Sequence, residues 1–379
     1  MIKKVFWASL GFFLLTLIFL GVYNFAFKNN TSNPIADPEK YAAVQAEKET
    51  DIPTSSLAFE VFLNESVLFP KIEEQYLFYY SLRDKTLKHT TIDTKKSDTL
   101  FGALPGTVKR VLWSPVSIGA LVLIEENQSS LWYYTDFRNQ SITPLRKELS
   151  RLSWNTLGDG IYYIYTDPAT GARSLNTASP RGENWRKLTD LDTNDYFVST
   201  IPQSSQVAFW THPDGLEESR LESISLTGEG RRLLLSGRYG GDYLWSPNSR
   251  SILISSVDTR GGSNPSLGIV DENGESYRDL LVPTFISKVT WSKDNQTIYY
   301  ALPSAFVSGT TLPNDYFGKP IYTKDTFWKM NLKTGRRERL VPLNEIAQAF
   351  DATDLFLSPD ETRLFFVDRS TNKLYSINL

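Results

Sequence analysis

The sequence predicts an all-β protein made of repeated four-stranded antiparallel units and preceded by a single N-terminal transmembrane helix. Three observations support this prediction. One strand–turn–strand segment recurs at intervals of about 45 residues, and the first thirty residues contain a long uncharged apolar run. The chain of 379 residues is also 41% hydrophobic and 13% aromatic, so it can bury a sizeable core.

The repeat consists of a residue before a turn and an apolar strand that begins seven positions later. Trp245 in "YLWSPNSRSILIS" leads to Ile252, and Trp291 in "VTWSKDNQTIYYA" leads to Ile298. The lead residues of the seven copies are Phe69, Trp113, Trp154, Thr200, Trp245, Trp291 and Leu357. Because a four-stranded propeller blade has about this length, we predict a seven-bladed β-propeller over residues 57–379.

The turn segments "WSPN", "WSKD" and "LSPD" place Ser first, Pro or Lys second, and Asn or Asp third. Proline sets φ at the second turn position, and a serine side chain can cap the backbone amides of the turn. The lead tryptophans recur once per unit, which favours packing between blades over the alternative of ligand stacking. The rest of each unit contains a further strand, a Gly turn and a short polar strand.

Closure of the ring is predicted from the two ends of the repeat region. The last unit ends after its third strand, and the segment "LAFEVFL" at 57–63 precedes the first unit without a unit of its own. We expect this segment to supply the missing outer strand of the last unit, because closure removes exposed sheet edges.

These repeats resemble the WD40-like repeats of TolB-type propellers, whose signature is a Trp-Ser-Pro-Asp-Gly turn followed by an apolar strand. The resemblance covers residues 57–379 and is degenerate: Asn248 and Ser249, or Asp294 and Asn295, replace the end of the signature. It implies a β-propeller that lies outside the cytoplasm, and it leaves the activity open.

The N-terminal segment Val5–Phe27 contains no charged residue. As a helix it would be about 35 Å long, which exceeds the hydrocarbon core of about 30 Å. The alternative, a cleaved signal peptide, has a shorter apolar core and a small-residue cleavage site. We therefore predict an uncleaved anchor in residues 1–28, with Lys3 and Lys4 on the cytoplasmic side and a polar stalk with a short helix at 29–56.

Several kinds of chemistry are excluded or disfavoured by composition. The chain has no cysteine, two histidines and a net charge of −3 without a concentrated basic face, so we predict no nucleic-acid partner. It has no nucleophile-elbow, P-loop, dinucleotide or zinc-protease motif, and we predict no cofactor, no metal and no catalytic residue. Asp190, Asp192 and Asn194 have calcium-loop spacing, but Asp195 stands at position six. We interpret this segment as a solvated connection between blades, with a weak calcium site as the alternative.

The candidate binding residues lie in three segments. An insertion in the sixth unit, residues 303–327, is about twenty residues longer than its equivalents and is rich in aromatic residues. Long ordered loops on a rigid scaffold are often functional, although a packed loop without a role is the alternative. We expect the insertion, residues 258–266 and the loop predicted at 236–243 to form one rim. The candidate partner-binding residues are Arg238, Tyr239, Arg260, Phe306, Tyr316, Phe317 and Tyr322.

The leading functional hypothesis is a non-catalytic, membrane-anchored propeller that binds or scaffolds an envelope protein or peptide outside the cytoplasm. The second is an enzyme with a carboxylate or divalent-metal site at the mouth of the propeller channel. The third is a structural component of the envelope. Several Asp, Glu, Arg or Tyr side chains around the channel would favour the enzyme, and an apolar rim would favour the binding protein.

Overall fold

The computed structural model describes residues 58–192 and 194–379. The predicted membrane helix at 5–27 and the stalk at 29–56 lie outside these residues. Within the described part of the chain, no helix is both long enough and apolar enough to cross a membrane.

The described residues form antiparallel strands joined by turns and short loops. In the first half of the chain the strands are β1 (Glu60–Glu73), β2 (Tyr76–Ser81), β3 (Thr86–Thr91), β4 (Ser97–Phe101), β5 (Thr107–Trp113), β6 (Gly119–Glu126), β7 (Ser129–Asp136), β8 (Ser141–Pro144), β9 (Leu149–Trp154), β10 (Ile161–Thr166), β11 (Arg173–Ala178) and β12 (Arg186–Leu191).

The second half continues the same pattern. Its strands are β13 (Tyr196–Thr200), β14 (Gln206–Thr211), β15 (Glu218–Ser225), β16 (Arg232–Trp245), β17 (Ser251–Val257), β18 (Pro265–Asp271), β19 (Arg278–Val282), β20 (Val289–Trp291), β21 (Thr297–Leu302), β22 (Thr326–Asn331), β23 (Arg337–Arg339), β24 (Ala352–Leu357), β25 (Arg363–Asp368) and β26 (Lys373–Asn378). Two 3-10 turns, Ile286–Lys288 and Leu343–Glu345, and the short helix α1 (Asn314–Gly318) lie between strands.

The strands pair as antiparallel meanders. Strands β5–β8, β9–β12 and β20–β23 each form a four-stranded sheet. The other two sheets have seven strands because β1 and β16, each 14 residues long, continue from one meander into the next. The first part of β1 pairs with β26, with Val61 opposite Tyr375, and its second part pairs with β2, with Leu68 opposite Tyr80.

The second strand of each meander is apolar and buried along most of its length. In β25 the segment from Leu364 to Val367 is buried throughout, and in β10 the segment from Ile161 to Ile164 is buried as well. A strand with one solvated face would alternate between polar and apolar residues, so continuous burial indicates that both faces of the sheet are covered. Neighbouring sheets provide this cover.

The hydrophobic core lies between successive meanders. One cluster joins β2 to β5 and β6, and the next joins β6 and β7 to β9 and β10. This continues along the chain until the cluster of Phe62, Val67 and Phe365 joins β25 to β1 and β2. The predicted lead tryptophans belong to these clusters and are at most 8% exposed, which confirms that they pack between meanders: Trp113, Trp154, Trp245 and Trp291.

The turn after each lead residue is held by its serine. Ser246 Oγ accepts a hydrogen bond from the backbone N–H of Ser251 at 3.0 Å, and Ser358 Oγ accepts one from the N–H of Arg363 at 3.0 Å. These contacts confirm the predicted capping role. The fourth turn position has positive φ, 61° at Ser249 and 58° at Asn295. This explains why the signature of the turn has Gly at this position.

Candidate functional site

The insertion between β21 and β22, residues 303–325, folds over one end of the sheets. It contains α1, whose Asp315 side chain accepts a hydrogen bond from the backbone N–H of Thr311 at 3.0 Å. Asn314 connects the insertion to the β14–β15 loop: its Oδ1 accepts from Gly215 N–H at 2.8 Å and its Nδ2 donates to Asp214 Oδ1 at 2.8 Å. Leu312 N–H donates to Gly262 O at 3.0 Å. The insertion is therefore fastened to the loops of two neighbouring meanders.

Tyr316 is buried, which corrects the expectation that its ring is presented on an exposed rim. Its exposed fraction is 0%. The ring stacks on Phe285 with a centroid separation of 5.0 Å, and its hydroxyl donates to Asp351 Oδ1 at 2.5 Å. The inward-pointing side chain of Tyr316 therefore helps to hold this five-residue helix to the scaffold. The sequence contains two adjacent aromatic residues here and does not indicate which of them has this role.

Tyr316 contacts a buried group of charged residues. Lys288, with 0% of its surface exposed, donates from Nζ to Asp325 Oδ2 at 2.6 Å and to Asp351 Oδ1 at 2.7 Å. Arg369 donates to Asp351 Oδ2 at 2.9 Å and to the backbone oxygen of Tyr316 at 3.0 Å. Two cations and two carboxylates balance in charge, and the carboxylates have hydrogen-bond donors within reach. Breaking one member of such a group is costly because the remaining charges are then buried without compensation.

The protonation state of Lys288 is fixed by this arrangement. Burial alone would lower the pKa of Lys288, but the neighbouring Asp325, Tyr316 and Asp351 outweigh burial and raise it above its ordinary value. The ammonium group is therefore charged at physiological pH. It fixes the beginning of β20 to the beginnings of β22 and β24, and thereby the base of the insertion.

The remaining predicted rim residues have different environments. Phe317 and Tyr322 are each 55% exposed, whereas Phe306 is half-buried with its ring at 5.7 Å from that of Tyr316. Tyr239 is half-buried in the same small apolar cluster under the insertion.

Two of the predicted residues are arginines. Arg260 is exposed, and its Nε donates to Leu216 O at 2.9 Å, beside the loop that the insertion contacts. Arg238 lies over the ring of Tyr277 at 3.9 Å, and none of its described contacts involves the insertion. The structure thus brings together the insertion, Tyr239 and Arg260, and leaves Arg238 apart from them.

The segment 236–243 is not a loop, which corrects the sequence prediction. It is part of β16, whose outer half pairs with β15 and whose inner half pairs with β17. Gly240, with φ of 64°, lies at an irregularity in the pairing with β17, where a side chain would collide with Pro313 of the insertion. Gly240 therefore permits a bent strand and the close approach of the insertion rather than a flexible connection.

A cavity of about 880 Å³ lies beside the insertion. Its walls come from the first strands of several meanders, including Leu112, Ser153 and Ser199, and Phe317 belongs to its border. The first strands are the innermost elements of a propeller, so this cavity is the end of the axial channel. The insertion covers part of its mouth.

Titratable side chains that were not among the candidates from the sequence line the channel. Asp242 accepts hydrogen bonds from Trp210 Nε1 at 3.1 Å and from the N–H of Tyr243 at 3.0 Å, and its burial raises its pKa to about 6. Burial lowers the pKa of His212, which also lines this cavity. Arg110 on β5 lies in the same wall. Polar positions on first strands could have indicated Arg110 and Asp242, whereas His212 follows the second strand of its meander.

A second cavity of about 690 Å³ adjoins the first and shares Arg110, Leu152 and Phe197 with it. Here the Arg151 guanidinium lies over the ring of Phe197 at 4.6 Å and forms an ion pair with Asp195. Arg151 has φ of 50° at an irregularity of β9, which turns its side chain out of the regular strand alternation.

In the segment with calcium-loop spacing, Asp190 lies in β12, and Asp192 and Asp195 lie between β12 and β13. These carboxylates already have other partners. Asp190 pairs with Lys187, Asp192 accepts from the Tyr196 hydroxyl at 2.9 Å, and Asp195 pairs with Arg151. Among the described residues there is no group of three or more histidine, aspartate or glutamate side chains placed to hold a metal ion.

Comparison with known proteins agrees with the fold. The chain is similar to oligogalacturonate lyase in complex with manganese, with a TM-score of 0.58 and 13% identity over 80% of this chain and 86% of that one. It is also similar to the β-propeller domain of the Trilobed protease from Pyrococcus furiosus, with a TM-score of 0.52 and 11% identity over 83% and 93%. For TolB from Acinetobacter baumannii the values are 0.44 and 15% over 66% and 58%.

No family model and no curated protein matches the sequence. At these identities the likeness to solved structures concerns the fold alone. The chain is an all-β protein with a β-propeller fold built from antiparallel sheets.

Proposed function

We propose that the chain forms a closed seven-bladed propeller that binds a protein or peptide, without catalysis, on the face that carries the insertion. The blade count is supported by the core clusters, each of which joins two consecutive meanders and the last of which joins the C-terminal strands to β1 and β2. It is also supported by the division of β1 and β16 between two meanders each. Every meander then has four strands.

The binding role depends mainly on one observation: an exposed aromatic side chain on a rigid insertion at the border of the channel cavity. Phe317 is 55% exposed, and its neighbour Tyr316 fixes α1 to the buried charged group below. Binding to this loop costs less conformational entropy, because the loop is already ordered before the ligand arrives. Aromatic residues at the centre of an interface often contribute a large part of its binding energy.

The location of this activity is part of the proposal. The apolar segment 5–27 would anchor the chain in a membrane, and the basic residues before it favour a cytoplasmic N-terminus. The propeller then lies outside the cytoplasm, and its partner is an envelope protein or peptide.

The proposal can be tested by photo-crosslinking in intact cells with a benzophenone amino acid at position 317. The control places the same group at position 157, because Leu157 is 71% exposed in the β9–β10 turn, at the opposite end of the strands from the insertion. We expect one discrete crosslinked species from position 317 and none of that mass from position 157. Equal crosslinking at both positions, or none at 317, would contradict the binding role.

An enzyme is the second candidate, and the observation that favours it is Asp242. A carboxyl group with a pKa of about 6 inside a channel has the range needed for general acid–base catalysis at neutral pH. Mass spectrometry of the crosslinked or co-purified ligand distinguishes the two functions. An unaltered ligand supports binding. Catalysis is supported if the ligand recovered with the wild type is cleaved or modified and the ligand recovered with Asp242→Asn is intact.

A further inference from the structure

The second cavity carries an excess of positive charge. Its walls contain Arg110, Lys147, Arg151 and Arg173, against the carboxylates of Glu148 and Asp195. Asp195 forms an ion pair with Arg151, so one of the two carboxylates already has a partner within the wall. The cavity lies over the first strands of the second, third and fourth meanders, on the side of the channel that the insertion leaves open.

Arg110 is the unusual member of this group. Within residues 58–192 and 194–379 its guanidinium has no hydrogen bond and no ion pair. The adjacent Lys109 carries the same charge but pairs with Glu125 on β6 at 2.7 Å. Arg110 belongs to the walls of both cavities and so stands where they meet.

The surroundings of Arg110 make an uncompensated charge costly. Its side chain can be reached by solvent in the channel, but the blades enclose it, and this burial together with Arg151 lowers its pKa. Asp354 and Asp242 act in the opposite direction without forming an ion pair with it. An enclosed guanidinium with open donors binds anions strongly, since the surrounding protein screens the interaction less than water does.

We propose that Arg110 binds a side-chain carboxylate of an acidic peptide segment that lies across the two cavities. This inference rests on the proposed binding function and identifies the chemical class of its ligand. The size of the site favours a peptide over a small free anion, because the second cavity alone, at about 690 Å³, has the volume of a site for a drug-sized molecule. The rings of Trp132 and Phe197 in its wall provide apolar contact for the backbone and methylene groups between acidic side chains.

The test is fluorescence anisotropy with the full-length protein in a neutral detergent and a fluorescein-labelled hexaglutamate peptide. Arg110→Gln should weaken binding about tenfold or more, because a hydrogen bond between charged groups contributes enough for a change of that size. Lys109→Gln is the matched control: it removes the same charge one position away on the same strand, and its effect should be less than threefold. A hexaglutamine peptide should bind neither variant nor the wild type.

Asp354→Asn provides a test of opposite sign. Asp354 lies on β24, is exposed and has φ of 50°, a conformation that asparagine also adopts, so the strand is preserved. Removal of this negative charge near Arg110 should strengthen hexaglutamate binding severalfold in buffers of low ionic strength. Unchanged or weaker binding would contradict the proposed position of the ligand.

The remaining outcomes separate this inference from the proposed function. If Arg110→Gln and Lys109→Gln lose the same affinity for hexaglutamate, the overall charge of the protein and not Arg110 determines binding, and the proposal is overturned. Competition by inorganic phosphate or sulfate at concentrations similar to that of the peptide would mean a small-anion site and would also overturn it. If position 317 captures a partner while hexaglutamate does not bind, the binding function stands and the acidic-peptide assignment fails. Arg110-dependent binding without a crosslink at 317 supports the anion site and contradicts the role of the insertion.

Discussion

Two adjacent aromatic residues of the insertion should respond in opposite ways to the same substitution. Tyr316 is fully buried, stacks on Phe285 and donates to Asp351, whereas Phe317 is 55% exposed. Tyr316→Ala should destabilise the propeller strongly and Phe317→Ala should leave it nearly unchanged. The pair therefore tests whether the insertion is fixed to the scaffold as the structure describes.

The expected magnitude follows from the contacts. Removal of a buried aromatic ring costs about 3–5 kcal/mol. In addition, Asp351 loses a hydrogen-bond donor, and a hydrogen bond to a charged group contributes about 1.5–3 kcal/mol. We expect a loss of at least about 4 kcal/mol for Tyr316→Ala. Tyr316→Phe isolates the hydroxyl and should cost about 1.5–3 kcal/mol. For Phe317→Ala the expected change is within about 0.5 kcal/mol, as for other exposed positions.

Thermal unfolding followed by circular dichroism can measure these differences. An unfolding entropy of about 2.1 cal/mol/K per residue gives about 0.7 kcal/mol/K for roughly 320 described residues. A loss of about 4 kcal/mol then lowers Tm by about 6 °C, and the change for Phe317→Ala stays below about 1 °C. If Tyr316→Ala unfolds at the wild-type temperature, the ring is not part of the core and the argument for a rigid insertion is wrong.

Three further predictions concern closure, pH dependence and the anchor. Deletion of residues 57–63 removes the Val61–Tyr375 pairing and the Phe62 contact with Phe365, so urea denaturation should show a loss of several kcal/mol; an unchanged midpoint would contradict closure by this strand. Because burial raises the pKa of Asp242 to about 6, its contribution to stability is present below about pH 4 and is lost as the pH rises through about 6. The stability of Asp242→Asn relative to wild type should therefore increase by up to about 3 kcal/mol between pH 4 and pH 7, and a flat difference would refute the assigned burial. Full-length protein should remain with membranes after a carbonate wash while a chain of residues 57–379 is released, and recovery of both in the supernatant would count against an anchor.

The repeat could be predicted from the sequence because its signals are local. A lead residue, a serine-capped turn and an apolar strand lie within fourteen positions, and each depends on the conformation of neighbouring residues. The buried tryptophans and the Ser246 and Ser358 caps are where the turn chemistry predicts them. The insertion was also evident, since its length departs from an otherwise regular period.

The roles of the individual residues depended on contacts between distant segments. Gly-rich residues 236–243 suggested a loop, but pairing partners on both sides make them a continuous strand, and pairing cannot be deduced from the segment itself. The sequence does not indicate which of the two rings, Tyr316 or Phe317, is buried. The positions of Asp351 and Phe285 decide this.

The sequence by itself determined the all-β class, the repeated unit and its turns, because hydrophobic periodicity and turn chemistry act over a few residues. Only the tertiary structure placed Lys288 between carboxylates that are 37 and 63 positions away along the chain. Among the described residues, it alone leaves the Arg110 guanidinium without a hydrogen bond or an ion pair, while Lys109 pairs with Glu125. Electrostatic environments of this kind arise where the fold brings side chains of different meanders close together. Their charges interact through space over distances that the order of residues in the chain does not encode.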